Sequence, residues 1–144
     1  MDILRANEIN QGLNHGGRVY LCGNLKKENR APFIETESYE IGITVYPKFT
    51  FEKPHLHSFN VEYNYVLDGE IKIFMINENM EYHFKAGDLF VIHINEPYVG
   101  KAKANSRTIF SKVPGGNDKV LIDVLENDQA LQNWGSSWEA EYQA

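Results

Sequence analysis

Turn signals crowd the middle of this chain so closely that only short extended segments fit between them. Asp68-Gly69, Asn77 to Asn79 and Ala86-Gly87-Asp88 carry the residues that favour tight turns. The runs they bound, Ile71 to Ile76 and Glu81 to Phe84, are β-favouring and too short for a typical helix. The same rhythm holds elsewhere, in Arg18 to Cys22, Phe33 to Tyr46, Tyr63 to Leu67, Leu89 to Ile94, Tyr98 to Ala102, Thr108 to Val113 and Val120 to Leu125. From Pro32 onward almost no stretch repeats apolar residues with a period of 3.6. Many short strands at roughly even spacing predict an all-β sandwich or barrel, whose closure hides edges that would otherwise be exposed.

The two ends read differently. Residues 1 to 17, with Gly12, Gly16 and Gly17, predict an irregular arm with a short helix near Ile3 to Ile9. From Asn127 the tail spaces Ala130, Leu131, Trp134, Trp138 and Tyr142 by three or four residues or multiples of that step, a short helical segment or two turns broken at Gly135. Its Trp residues are expected to pack on the barrel or on a second subunit. The length of 144 residues suits one domain, 1 to 144, with a barrel core of about 33 to 125.

Charge excludes one class of partner. With 14 Lys and Arg against 20 Asp and Glu the net charge is −6, and no basic block is present to neutralise a phosphate backbone, so no nucleic acid is expected. The single Cys22 cannot form an internal disulfide and sits in the apolar run Val19 to Cys22, where an inert buried thiol is expected. Met1 to Leu13 has neither a charged nor an apolar targeting region, and no apolar run approaches the roughly 20 residues that span a bilayer. The expectation is a soluble, cytoplasmic protein without a membrane partner.

The chemistry concentrates in Pro54-His55-Leu56-His57-Ser58-Phe59-Asn60-Val61-Glu62. Side chains at i and i+2 of a strand share a face, so His55 and His57 can present two imidazoles to one metal ion. Glu62 lies at an odd separation from His57, and a bend at Ser58 to Asn60 must intervene if all three are to converge. Two imidazoles and a carboxylate suit Fe, Mn, Ni, Zn or Cu. The plain alternative is a pair of surface or barrel-wall histidines. Asn64 and Val66 share the parity of Glu62 and should face inward, with Asn64 a hydrogen-bonding group for a polar ligand, while Tyr63 and Tyr65 face outward. If Tyr98 points inward, so do the small Gly100 and Ala102.

The wider pattern His-x-His-x4-Glu-x6-Gly, running from His55 to Gly69, resembles the first motif of the cupin family, and Gly87 to Tyr98 resembles the second. The resemblance implies a double-stranded β-helix (jelly-roll) barrel holding a divalent transition metal such as Fe, Mn, Ni or Zn through His55, His57 and Glu62. One departure stands out: where the second motif carries a histidine ligand after its proline, this chain has Tyr98, and where it carries proline, this chain has His93. Tyr98 then ligates the metal or acts beside it as an acid or base; or His93 supplies a third imidazole; or Tyr98 packs on the barrel wall and the site has three ligands or no metal.

Such barrels host isomerases, epimerases, dioxygenases, decarboxylases and lyases. The resemblance implies proton transfer on a small oxygenated substrate such as a sugar or keto acid, with Tyr98 and Asn64 as the catalytic pair. A non-haem dioxygenase, a metal-free isomerase using His55 or His57 as base, and a non-catalytic sugar-binding barrel are the alternatives. It also implies a homodimer, with Arg18 to Cys22 the strand to cross over. His15, His83 and the loop Val113 to Lys119 read as surface or turn residues.

Overall fold

The computed structural model describes residues 1–26 and 28–144. An N-terminal helix α1 (Ala6–Leu13) precedes twelve strands, β1 (Gly17–Gly23), β2 (Ile34–Glu35), β3 (Glu40–Tyr46), β4 (Thr50–Phe51), β5 (His55–His57), β6 (Val61–Asp68), β7 (Glu70–Met75), β8 (Met80–Lys85), β9 (Leu89–Ile92), β10 (Tyr98–Ala102), β11 (Ser106–Val113) and β12 (Lys119–Leu121). A 3-10 turn (Leu125–Asn127) and helix α2 (Gln129–Trp134) follow. One sheet has the order β2-β1-β3-β11-β6-β9, the other β12-β5-β10-β7-β8 with β4 also on β10. These two sheets form the expected jelly-roll barrel.

Most expected strands shift by one or two residues at an end, and three differences are larger. The run Phe33 to Tyr46 breaks into β2 and β3 because Thr36 to Tyr39 leaves the sheet in a bend. The last strand stops at Leu121, and Leu125 turns into the 3-10 segment. The N-terminal helix starts at Ala6 instead of Ile3, with Glu8 Oε2 accepting the Arg5 N–H at 2.8 Å.

Strand parity sorts the side chains as expected. Along β6, Glu62, Asn64 and Val66 are buried, and Tyr63 and Tyr65 are each 41% exposed. Gly69 turns β6 into β7 at φ +74°, and a Cβ there would stand 2.2 Å from Ser106 Oγ, which itself binds Glu70 N–H at 3.0 Å. Gly42 on β3 serves a different purpose: a Cβ would collide with the Phe110 ring at 2.4 Å, so its absence lets Phe110 fill the interior.

The apolar core divides in two. Val66, Ile71, Ile73, Met75, Ile92, Tyr98 and Ala102 pack inside the barrel, whereas Phe74, Val99, Leu131 and Trp134 pack outside it, under the tail. Asp128 caps α2 by accepting Leu131 N–H at 2.9 Å. Trp134 is fully buried against Phe51 and Phe74. Lys101, 1% exposed, donates to the carbonyls of Trp134, Ser137 and Ala140 at 2.8, 3.0 and 2.8 Å and so ties the tail to β10. No helix among the described residues is long and apolar enough to cross a membrane.

Candidate active site

β5 is only three residues long, yet its alternation suffices to turn His55 and His57 inward, 3% and 2% exposed, with Leu56 on the other face. The bend at Ser58 and Phe59 resets the parity and brings Glu62, the second residue of β6, to the same point. Tyr98 opens β10 directly opposite His55 in the cross-strand register. Four donor atoms converge as a result. Tyr98 Oη lies 2.8 Å from His55 Nε2 and 3.4 Å from His57 Nε2, and Glu62 Oε2 lies 3.0 Å from His57 Nε2. Asn64 Nδ2 donates to the other Glu62 oxygen at 3.1 Å.

Each imidazole is anchored from behind. His55 Nδ1 lies 2.8 Å from the Lys53 carbonyl, which can only accept, so Nδ1 carries the proton and Nε2 accepts from the Tyr98 hydroxyl. Burial, the largest effect, lowers the His55 pKa to about 4, and the ring is neutral. His57 Nδ1 lies 2.8 Å from Asp118 Oδ1, and Asp118 Oδ2 accepts the N–H groups of Phe59 and Asn60 at 2.9 and 2.8 Å. Burial pulls the His57 pKa down, but hydrogen bonds to Glu62 and Asp118 outweigh it and the net shift is upward. Burial likewise opposes the ionised form of Glu62, yet the His57 hydrogen bond and the charges of Arg18 and Lys112 hold that carboxyl at about 2. The Tyr98 phenol is pushed well above its ordinary value by burial and then by Glu62 and Glu52.

Beneath these groups lies a small cavity of about 30 Å³, room for one or two waters. Gly100 and Ala102 line it beside Tyr98, as parity predicts, together with Arg18, Tyr46 and Glu52. Tyr46 Oη donates to Glu52 Oε1 at 3.3 Å, and the Arg18 guanidinium sits 4.3 Å from the centre of the Phe110 ring.

Of the singled-out residues, His55, His57, Glu62, Asn64 and Tyr98 come together. His93 does not: it is exposed, with its backbone N–H on Glu96 at 3.1 Å, and supplies no third imidazole. Cys22 is half-buried, and His83 is exposed and paired with Glu70 at 2.6 Å. Sequence reasoning missed Arg18, Tyr46, Glu52 and above all Asp118, which lies within a segment read only as a turn. The one available signal was parity, since Arg18 is in register with the inward Thr44.

Among the described residues no group of three or more His, Cys, Asp or Glu side chains is arranged to hold a metal ion. The donors touch one another through hydrogen bonds instead. Their chemistry nevertheless fits a divalent cation, because both Nδ1 atoms are engaged by acceptors and both Nε2 atoms point at the shared space.

Residues 42–108 match the family model of the cupin domain. No curated protein matches the chain. Among solved structures, an uncharacterized double-stranded β-helix protein from Klebsiella pneumoniae is 16% identical, with TM-score 0.60 over 85% of this chain and 98% of that one. KdgF from Halomonas sp. is 20% identical, with TM-score 0.52 over 58% and 74%. Pac13 from Streptomyces, a nucleoside dehydratase, is 13% identical, with TM-score 0.52 over 60% and 70%. At these identities the likeness is one of fold.

Proposed function

The chain carries a cupin domain, and from that premise we propose that it is an enzyme moving a proton on a small oxygenated polar substrate, with Tyr98 as the proton donor and a divalent transition metal held by His55, His57 and Glu62. One observation carries the reading: a buried phenol stands within hydrogen-bond reach of two anchored imidazoles. When bound, the metal would polarise a substrate oxygen.

The chain's own residues supply the rest. A Tyr98 pKa well above 10 keeps the hydroxyl protonated, so it enters as an acid, and neutral His55 orients it through Nε2. Asn64 holds Glu62 in one rotamer and offers its amide to a ligand. Burial keeps bulk water from all four groups. The small space beneath them accepts only the reacting end of a substrate, which favours a small oxygenated group over a bulky one. That Pac13 is a nucleoside dehydratase supports an enzyme on this barrel without carrying its substrate over.

Elemental analysis of protein purified without an affinity tag or chelator tests the metal. A transition metal at about one per chain, lost in His57→Ala, is expected; trace metal that cannot be restored overturns it. In that case a second reading takes over, favoured by the carboxylates on both nitrogens of His57. They stabilise an imidazolium that could donate the proton without metal. Oxygen consumption on metal loading would point to the dioxygenase alternative, and metal-independent sugar binding without turnover, lost in Tyr98→Phe, to the binding-barrel one. A homodimer is also proposed; the strand expected to cross over, Arg18 to Cys22, pairs with β3 of its own chain, and the outward face where Ile109, Tyr65 and Leu89 lie side by side is the surface proposed for it. Light scattering showing a monomer at micromolar concentration would contradict it.

A further inference from the structure

A second cavity, of about 510 Å³, is walled by the segment after β1, by Glu37 and Glu40, and by the loop from Gly115 to Asn117. That volume lies within the range of about 300–1,000 Å³ common to small-molecule sites. Cross-strand register sets Lys112 on β11 beside Glu40 on β3 and Glu62 on β6, so one ammonium separates the carboxylate of this cavity from that of the candidate active site.

Glu40 and Lys112 are each 5% exposed. Lys112 Nζ stands 3.9 Å from Glu40 Oε2, beyond hydrogen-bond length, and makes no hydrogen bond among the described residues. Glu40 Oε1 is taken by the Gly116 N–H at 3.2 Å. The only fully enclosed side-chain polar atom without a partner among the described residues is Asn60 Oδ1, so Lys112 Nζ keeps contact with the open space it lines. A buried ammonium without a hydrogen-bonded acceptor is uncommon, because such groups are costly to desolvate unless paired.

We propose that this cavity binds a neutral, hydroxyl-rich small molecule, one hydroxyl of which bridges Lys112 and Glu40. Two hydrogen bonds of about 2.8 Å meeting at one oxygen span a gap of this size at close to a right angle. A hydroxyl, like water, accepts from the ammonium and donates to the carboxylate through one oxygen. Anions are opposed by Glu37 and Glu40 and cations by Lys26 and Lys112, so among the described residues that line the cavity neither sign of charge prevails. Asn24 and Asn117 add amide groups to the wall. Tyr98 does not line this cavity, although Lys112 also acts on Glu62 from the other side.

Titrating the isotope-labelled full chain with myo-inositol, a free hexose, inorganic phosphate and acetate, while following the Gly115, Gly116 and Asn117 amides by NMR, decides the matter. Saturable shifts with inositol or the hexose are expected, persisting in Tyr98→Phe. Lys112→Met and Glu40→Gln should each raise the dissociation constant by at least about ten-fold, the loss expected for one hydrogen bond to a charged group. Should Lys112→Met fail to fold, Glu40→Gln and the wild-type panel still give the answer. Absence of saturable shifts with either hydroxyl compound, stronger saturation by phosphate or acetate, or loss of the titration in Tyr98→Phe would each overturn the proposal. Metal content plays no part in the readout, so failure here is distinct from failure of the active-site reading.

Discussion

Asp118 Oδ1 and His57 Nδ1 stand 2.8 Å apart across 61 residues of chain. The same carboxylate closes the Ser58 to Asn60 bend through two backbone N–H groups. One side chain therefore fixes both the orientation of an imidazole and the bend that brings Glu62 to it.

Asp118→Asn should keep much of the shape of this connection while removing its charge. Metal affinity is expected to fall by about 10- to 100-fold, the usual effect of losing a carboxylate behind a histidine ligand. Chelator competition measures it, and unchanged affinity would show that the contact does not orient His57.

Among the described residues, Tyr98→Phe removes the only O–H within reach of both imidazoles. Turnover should drop by about 10²- to 10⁴-fold, the range for a lost general acid, with the circular dichroism spectrum unchanged. Equal rates in the two proteins would make Tyr98 a packing residue.

The metal-free protein should lose stability on acidification. His55 has a folded pKa of about 4 against 6.5 unfolded, so between those values the unfolded chain binds the extra proton and stability falls as pH falls. The shift corresponds to about 3 kcal/mol. Glu62, at about 2 against 4.5, adds a loss of the same sign at lower pH, while the raised pKa of His57 acts oppositely, its contribution disappearing as pH rises through that value. Urea unfolding at pH 7 and pH 4.5, in the wild type and in His55→Gln, isolates the His55 part; an equal pH dependence in the two proteins would contradict the burial of a neutral His55.

Lys101→Met retains an apolar stem but leaves the carbonyls of Trp134, Ser137 and Ala140 without their donor. A loss of about 3 kcal/mol is expected, since hydrogen bonds to a charged group contribute about 1.5–3 kcal/mol each and water can recover part. Increased quenching of Trp134 fluorescence should accompany it, and an undisturbed tail would show that the Trp134 packing alone suffices.

Much of this was legible in the residues. The Asp68-Gly69 and Gly87-Asp88 turns follow from the freedom of glycine to take a positive φ, and the shared face of Glu62, Asn64 and Val66 and of His55 and His57 from a strand period of two, rules that act over a few residues. The exposed place of His93 was less so, because the sequence leaves open how the loop before Tyr98 turns.

Short-range rules account for where strands run, which residues share a face, and the chance for two imidazoles and a carboxylate to meet. The neighbours of those groups are a matter of long-range packing. Asp118 behind His57, Arg18, Tyr46 and Glu52 along the cavity, and Lys112 between Glu40 and Glu62 depend on strand register and barrel closure. Those are set by packing between segments far apart in the chain, and no short-range periodicity records them.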